Sequence, residues 1–133
     1  MNLQFEWIAI FVCAVMGFGI QALWYSPAIF GKEWMRLSGL KQSDAKNPGG
    51  PMAIAALSNL VMAFAMAGFM NYFGSRTFVQ GALAGAQLWL GFVATVQVVD
   101  TAFSMRPWKL WLINAGNWLL IFVLTGGILA VWK

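Results

Sequence analysis

The chain has no histidine, one cysteine and few charges: Lys, Arg, Asp and Glu together make up 9% of its 133 residues. Each scarcity excludes something. Without histidine, and with Cys13 alone, one chain cannot assemble the usual ligand sets for zinc, haem or an iron–sulfur cluster, so no metal and no cofactor is expected. An intrachain disulfide is impossible. Cys13 falls inside an apolar run and reads as a small packing residue. Catalysis lacks its usual parts too. No histidine base and no closely spaced pair of carboxylates is present, and Ser26, Ser58, Thr95 and Thr125 have no evident activating partner. Gly49-Gly50 lacks the lysine and hydroxyl of a phosphate-binding loop. The chain is not expected to be an enzyme.

A soluble domain carries roughly 25% charged residues. Here hydrophobic residues reach 61% and the mean hydropathy is +0.73. A chain this short cannot hide so much apolar surface in its own core, so lipid must cover the rest. The net charge of +4 comes from basic residues lying between apolar runs, not from a stripe interleaved with aromatics. That pattern favours anionic lipid headgroups as partners and excludes nucleic acid.

Four apolar runs are long enough to cross a bilayer, at about 5–27, 52–73, 78–99 and 108–132. The first lacks a basic leader and contains Glu6, so it reads as a span rather than a signal peptide. Trp24 and Tyr25 mark its end at the interface, and Pro27 breaks or bends it. Phe30, Trp34 and Leu37 then recur at helical spacing, with Lys32, Glu33 and Arg36 on other faces, which predicts a short interfacial helix. A polar loop follows over 38–50, and Pro51 suits the first turn of the next helix. Gly74 to Thr77 forms a tight turn, and 100–107 forms the third connection. The fold class is therefore an all-α membrane protein: four transmembrane helices in one bundle, with an interfacial helix between the first and second.

Basic residues divide unequally between the two sides. Lys32, Arg36, Lys41, Lys46, Arg106 and Lys109 lie in the first and third connections, against Arg76 and Lys133 on the other side. This bias predicts that the first and third connections face the cytoplasm, with both termini outside. Ala9, Cys13 and Gly17 are spaced by four, as are Gly81 and Gly85, which lets helix backbones approach closely. Met62, Met66 and Met70 form a stripe that reads as packing or lipid contact.

Three stretches carry a family resemblance. They are Ala22-Leu23-Trp24-Tyr25-Ser26-Pro27 with the following Phe30-Gly31-Lys32, Trp34-Met35 and Leu37-Ser38-Gly39-Leu40; Leu88 to Thr95; and Leu110 to Gly116. Together they resemble the small bacterial membrane proteins catalogued as domain of unknown function seventeen sixty-one. The resemblance covers nearly the whole chain. It implies four membrane helices and a mainly bacterial distribution, hence the bacterial inner membrane, and it implies no activity.

Polar groups inside a bilayer need partners. Six of them gather in the half nearer the first and third connections: Gln21, Asn59, Gln97, Asp100, Asn114 and Asn117. Two readings stay open. They form a cavity for an ion or polar solute with Asp100 as its acid, or they are interhelical hydrogen bonds that hold the bundle together. Asp100 can also pair with Arg106 or Lys109. Glu6 stands too near the start of its span to act as a mid-membrane carboxylate, which disfavours a proton-coupled exporter. Two functional classes follow. One is a structural or accessory component acting through helix packing, as a homo-oligomer or a subunit of a membrane complex. The other is a small oligomeric transporter or channel built on the polar cluster.

Overall fold

The computed structural model describes residues 6–39 and 49–132. Lys41, Lys46, Lys133 and most of the polar loop lie outside the described residues. Helix α1 spans Trp7–Trp24, α2 Gly31–Ser38 and α3 Gly49–Phe73. Helix α4, Phe78–Trp89, runs through a π-helical turn, Leu90–Ala94, into α5, Thr95–Phe103; α6 spans Trp108–Val131. No strand occurs among the described residues. Four rods are long and apolar enough to cross a membrane: α1, α3, the continuous Phe78–Phe103 and α6, of 18, 25, 26 and 24 residues. At 1.5 Å per residue these reach roughly 27–39 Å, against a hydrocarbon core of about 30 Å.

Local chemistry sets the ends. After Trp24 the chain leaves the helix, and Phe30 N–H donates to the Trp24 carbonyl at 3.1 Å, closing a turn around Pro27. The interfacial helix is α2, ended by Gly39 in the left-handed region at φ 73°. Pro51 sits in the first turn of α3, which begins three residues before the apolar run starting at Met52. Gly74 at φ 65° ends α3, and Thr77 caps α4 with a capping box shared with Gln80. The third connection is shorter than its sequence suggests. Asp100 does not end the helix, which runs to Phe103, because a charge at the membrane edge ends the apolar span without breaking the backbone pattern.

The centre of the bundle is α6, which packs against α1, α3, α4 and α5 and touches α2. Glycine makes its tightest contact. A Cβ on Gly81 would collide with the Gly126 carbonyl, one on Gly85 with the Phe122 carbonyl, and one on Gly126 with the Gly81 carbonyl. The predicted four-residue spacing on α4 thus meets a glycine on α6. On the other side, Ala9, Cys13 and Gly17 are all buried along α1. Ile10, Cys13 and Ala14 pack with Ala63 and Ala67 of α3, and with Ile128 and Leu129 of α6. Met66 and Met70 pack with Ala84, Leu88 and Phe122, so the methionine stripe serves the core.

These contacts yield a stability prediction. Gly85→Val or Gly126→Val should lower the thermal midpoint of the detergent-solubilised protein, by about 1–3 kcal/mol or more in stability. Gly19→Ala, which has open space around it, should leave the midpoint unchanged. Circular dichroism melts of the three variants provide the comparison.

Candidate functional site

Polar residues line hollows at both ends of the bundle: Glu6, Asn71, Ser75 and Arg76 at the end bearing the Gly74 turn, and Gln21, Tyr25, Lys32, Arg106 and Asn114 at the end bearing α2. The predicted amides fall mainly into two groups, one inside the bundle and one in a cleft at the α2 end.

The inner group begins with Asn59. Gly17 has no side chain, and the Asn59 amide fills the space this leaves, with Ile121 alongside. Asn59 Nδ2 donates to Gln21 Oε1 at 2.9 Å and to the Ala55 carbonyl at 2.8 Å. Its Oδ1 has no partner. Asn117 and Thr125 flank Ile121 at four-residue steps on one face of α6, and both are fully buried. Neither end of the Asn117 amide, nor the Thr125 hydroxyl, has a hydrogen-bond partner among the described residues. Gln97 on α5 likewise has a buried, unpartnered Oε1.

The second group lines a cleft of about 710 Å³ between the end of α1, α2 and the starts of α3 and α6. Gln21, Tyr25 and Asn114 face it from the bundle, and Lys32 and Arg106 stand at its rim. Tyr25 Oη donates to Asn114 Oδ1 at 2.6 Å. Pro27 and Trp34 form part of the wall, with Trp34 edge-on to Tyr25. Arg36 turns instead to Glu33, which also pairs with Lys109 Nζ at 3.1 Å. That carboxylate therefore ties α2 to the start of α6. Hydrogen bonding to Arg36, then to Lys109, holds the Glu33 carboxyl down at about 2.

Of the six predicted polar residues, Gln21 and Asn59 meet directly. Asn117 lies on the neighbouring face of α6, and Asn114 opens onto the cleft. Asp100 is exposed on α5 and joins none of these bonds. Lys109, one of its expected partners, is engaged by Glu33.

Three indole hydrogen bonds were not foreseen from the sequence. Trp24 Nε1 donates to the Ile113 carbonyl at 2.9 Å, Trp89 Nε1 to Ala115 at 2.8 Å and Trp111 Nε1 to Ala94 at 3.2 Å. They bind the first turns of α6 to α1, to the residue before the π turn and to the last residue of that turn. A signal existed: Trp89 and Trp111 stand inside apolar runs, where an indole N–H must find an acceptor.

Fold and site together define a small α-helical membrane protein with a polar cleft, lined in part by Lys32 and Arg106, at its α2 end. The chain belongs to the family described as a protein of unknown function (DUF1761), whose model matches residues 8–130. Comparison with curated proteins and with solved structures gave no match.

Two outcomes follow. Asn117→Leu removes a buried amide with no partner and keeps similar volume, so it should raise stability by about 1–3 kcal/mol in a denaturation series. A loss of stability would show that the amide is satisfied within the fold. The second outcome concerns pH. Glu33 titrates lower in the folded chain than its usual 4.5, so its contribution is complete above that value and is lost as pH falls towards 2. A nitroxide on Leu37→Cys, in a Cys13→Ser background, should stay immobile at pH 5 and gain mobility only as pH nears 2. Glu33→Gln should make it mobile at every pH.

Proposed function

We propose that this chain is a non-catalytic accessory or structural component of a membrane, acting through helix packing with itself or within a larger complex. One observation carries the reading. Towards the Gly74 end, α1, α3 and α6 are joined by an apolar cluster of Ile10, Cys13, Ala14, Ala63 and Ala67 with Ile128 and Leu129, and the buried amides Asn59 and Asn117 lie outside it. A single copy with that interior suits a scaffold better than a conduit. Apolar side chains such as Phe11, Val15, Leu57 and Phe92 point outward and suit contact with lipid or with a neighbouring helix. Lys32, Arg36, Arg106 and Lys109 gather at the α2 end, which supports a cytoplasmic placement of that end, with both termini outside.

A second reading, an oligomeric transporter or channel, draws on the unpartnered atoms of Asn59, Asn117 and Thr125. These are groups that a passing ion or polar solute would satisfy.

Cross-linking in native membranes, followed by mass determination, should give assemblies of this chain with itself or with a fixed partner. Recovery as a lone single copy would overturn the accessory reading. Proteoliposomes should show no flux of protons, Na⁺ or K⁺. A flux abolished by Asn117→Leu would favour transport instead. A C-terminal alkaline phosphatase fusion should be active, as a terminus outside requires; an inactive fusion paired with a fluorescent cytoplasmic reporter would reverse the orientation.

A further inference from the structure

The hydrogen bonds around the cleft sort its polar groups by direction. The Ala55 carbonyl accepts from Asn59 Nδ2, which fixes that nitrogen as the donor and Gln21 Oε1 as its acceptor. Tyr25 Oη donates to Asn114 Oδ1. The carbonyl ends of both cleft amides are thus engaged by the protein, while the NH₂ ends of Gln21 and Asn114 make no hydrogen bond to another side chain or carbonyl among the described residues. Lys32 and Arg106 add two cations to its lining, and neither is ion-paired among the described residues. The cleft therefore offers donors and positive charge, which is the chemistry that recognises an oxyanion.

An apolar groove leads away from it. Gln21, Tyr25 and Pro51 also line a hollow of about 240 Å³ walled by Phe18, Met52 and Ala55. Phe18 is shared in turn with a third hollow of about 440 Å³, which runs between Phe11 and Val15 of α1 and Leu57 and Leu60 of α3. The three hollows follow one seam between α1 and α3. From Gln21 to Phe11 the seam runs roughly 15 Å at the helical rise of 1.5 Å per residue. That is about half of a 30 Å hydrocarbon core, the depth of one leaflet.

We propose that this seam is a binding site for an anionic phospholipid. Its phosphate lies in the cleft between Gln21, Asn114, Lys32 and Arg106, and one acyl chain lies along the α1–α3 groove. The position matches the level at which the headgroups of one leaflet would meet the bundle. The site depends on the membrane placement of the four spans but not on the accessory role: a chain that binds no lipid could still assemble, and a monomer could still bind one.

Native mass spectrometry of the full chain tests this, after reconstitution with equal phosphatidylglycerol and phosphatidylcholine. Wild type should retain phosphatidylglycerol preferentially. Asn114→Asp keeps the acceptor for Tyr25 but replaces a donor with a negative charge, and should reduce that preference about tenfold or more. The exposed pair Lys32→Gln and Arg106→Gln should do the same without disturbing the core. Arg76→Gln removes a charge at the opposite end and should leave the preference intact. Equal retention of the two lipids by wild type overturns the proposal, as does a preference that survives both cleft variants. Soluble glycerol phosphate binding as tightly as the lipid would also overturn it, because the groove would then contribute nothing.

Discussion

Where α4 crosses α6, Gly81 and Gly85 lie so close to the backbone of the other helix that a single methyl group on either would strike a carbonyl. Lipid supplies no hydrophobic drive for two apolar helices to associate, so this crossing rests on close van der Waals approach. The rest of the bundle follows from it. With one face of α6 committed to α4, its remaining faces are left to α1 and α3, whose own small residues Cys13, Gly17 and Ala63 line the shared core. A helix packed on several sides is more buried than its neighbours, which is why α6 can carry Asn117 and Thr125 fully buried.

Towards the α2 end the means of holding α6 changes from glycine to tryptophan. Trp24 and Trp89 reach the carbonyls of Ile113 and Ala115 from two sides, and Trp111 reaches back to Ala94. Each indole N–H there reaches from one helix to a main-chain carbonyl of the next. The π turn belongs to the same arrangement. It lies between Trp89 and Thr95, and the Thr95 hydroxyl donates to the Gly91 carbonyl at 2.8 Å. A π turn shifts the residues after it around the helix axis. The shift lets one rod present Gly81 and Gly85 to α6 early and Ala94 to Trp111 later.

Much of this was legible in the sequence, and the parts that were not share a cause. Run length alone fixed the four spans, and the spacing of Phe30, Trp34 and Leu37 fixed α2. Glycines four apart pointed to a close crossing, although not to the helix that would meet them. The concentration of amides in one half of the chain's spans was also visible. What could not be read was the direction of each amide and its partner. Gln21 and Asn59 are joined across 38 residues, and Tyr25 and Asn114 across 89. Glu33 finds Lys109 rather than leaving it to Asp100, a choice set by how α2 folds back after Pro27. The π turn left no mark, since Leu-Gly-Phe-Val-Ala has ordinary helical composition.

The polar group inside the bundle and the one at the cleft differ in what they leave unsatisfied. Inside the bundle the unpartnered atoms are of both kinds: the oxygen of Asn59, both ends of the Asn117 amide and the Thr125 hydroxyl. Such a set suits a neutral molecule such as water as well as an ion, and each member costs stability while unmet. At the cleft the amide ends left over are donors, and Lys32 and Arg106 add two cations. Gln21 separates the two environments. Its oxygen accepts from the buried Asn59, and the residue also faces the cleft, so the bond that anchors Asn59 also fixes which end of Gln21 remains for a ligand. A conservative change at Gln21 would therefore act on core and cleft together, whereas changes at Asn117 or Arg106 would act on one alone.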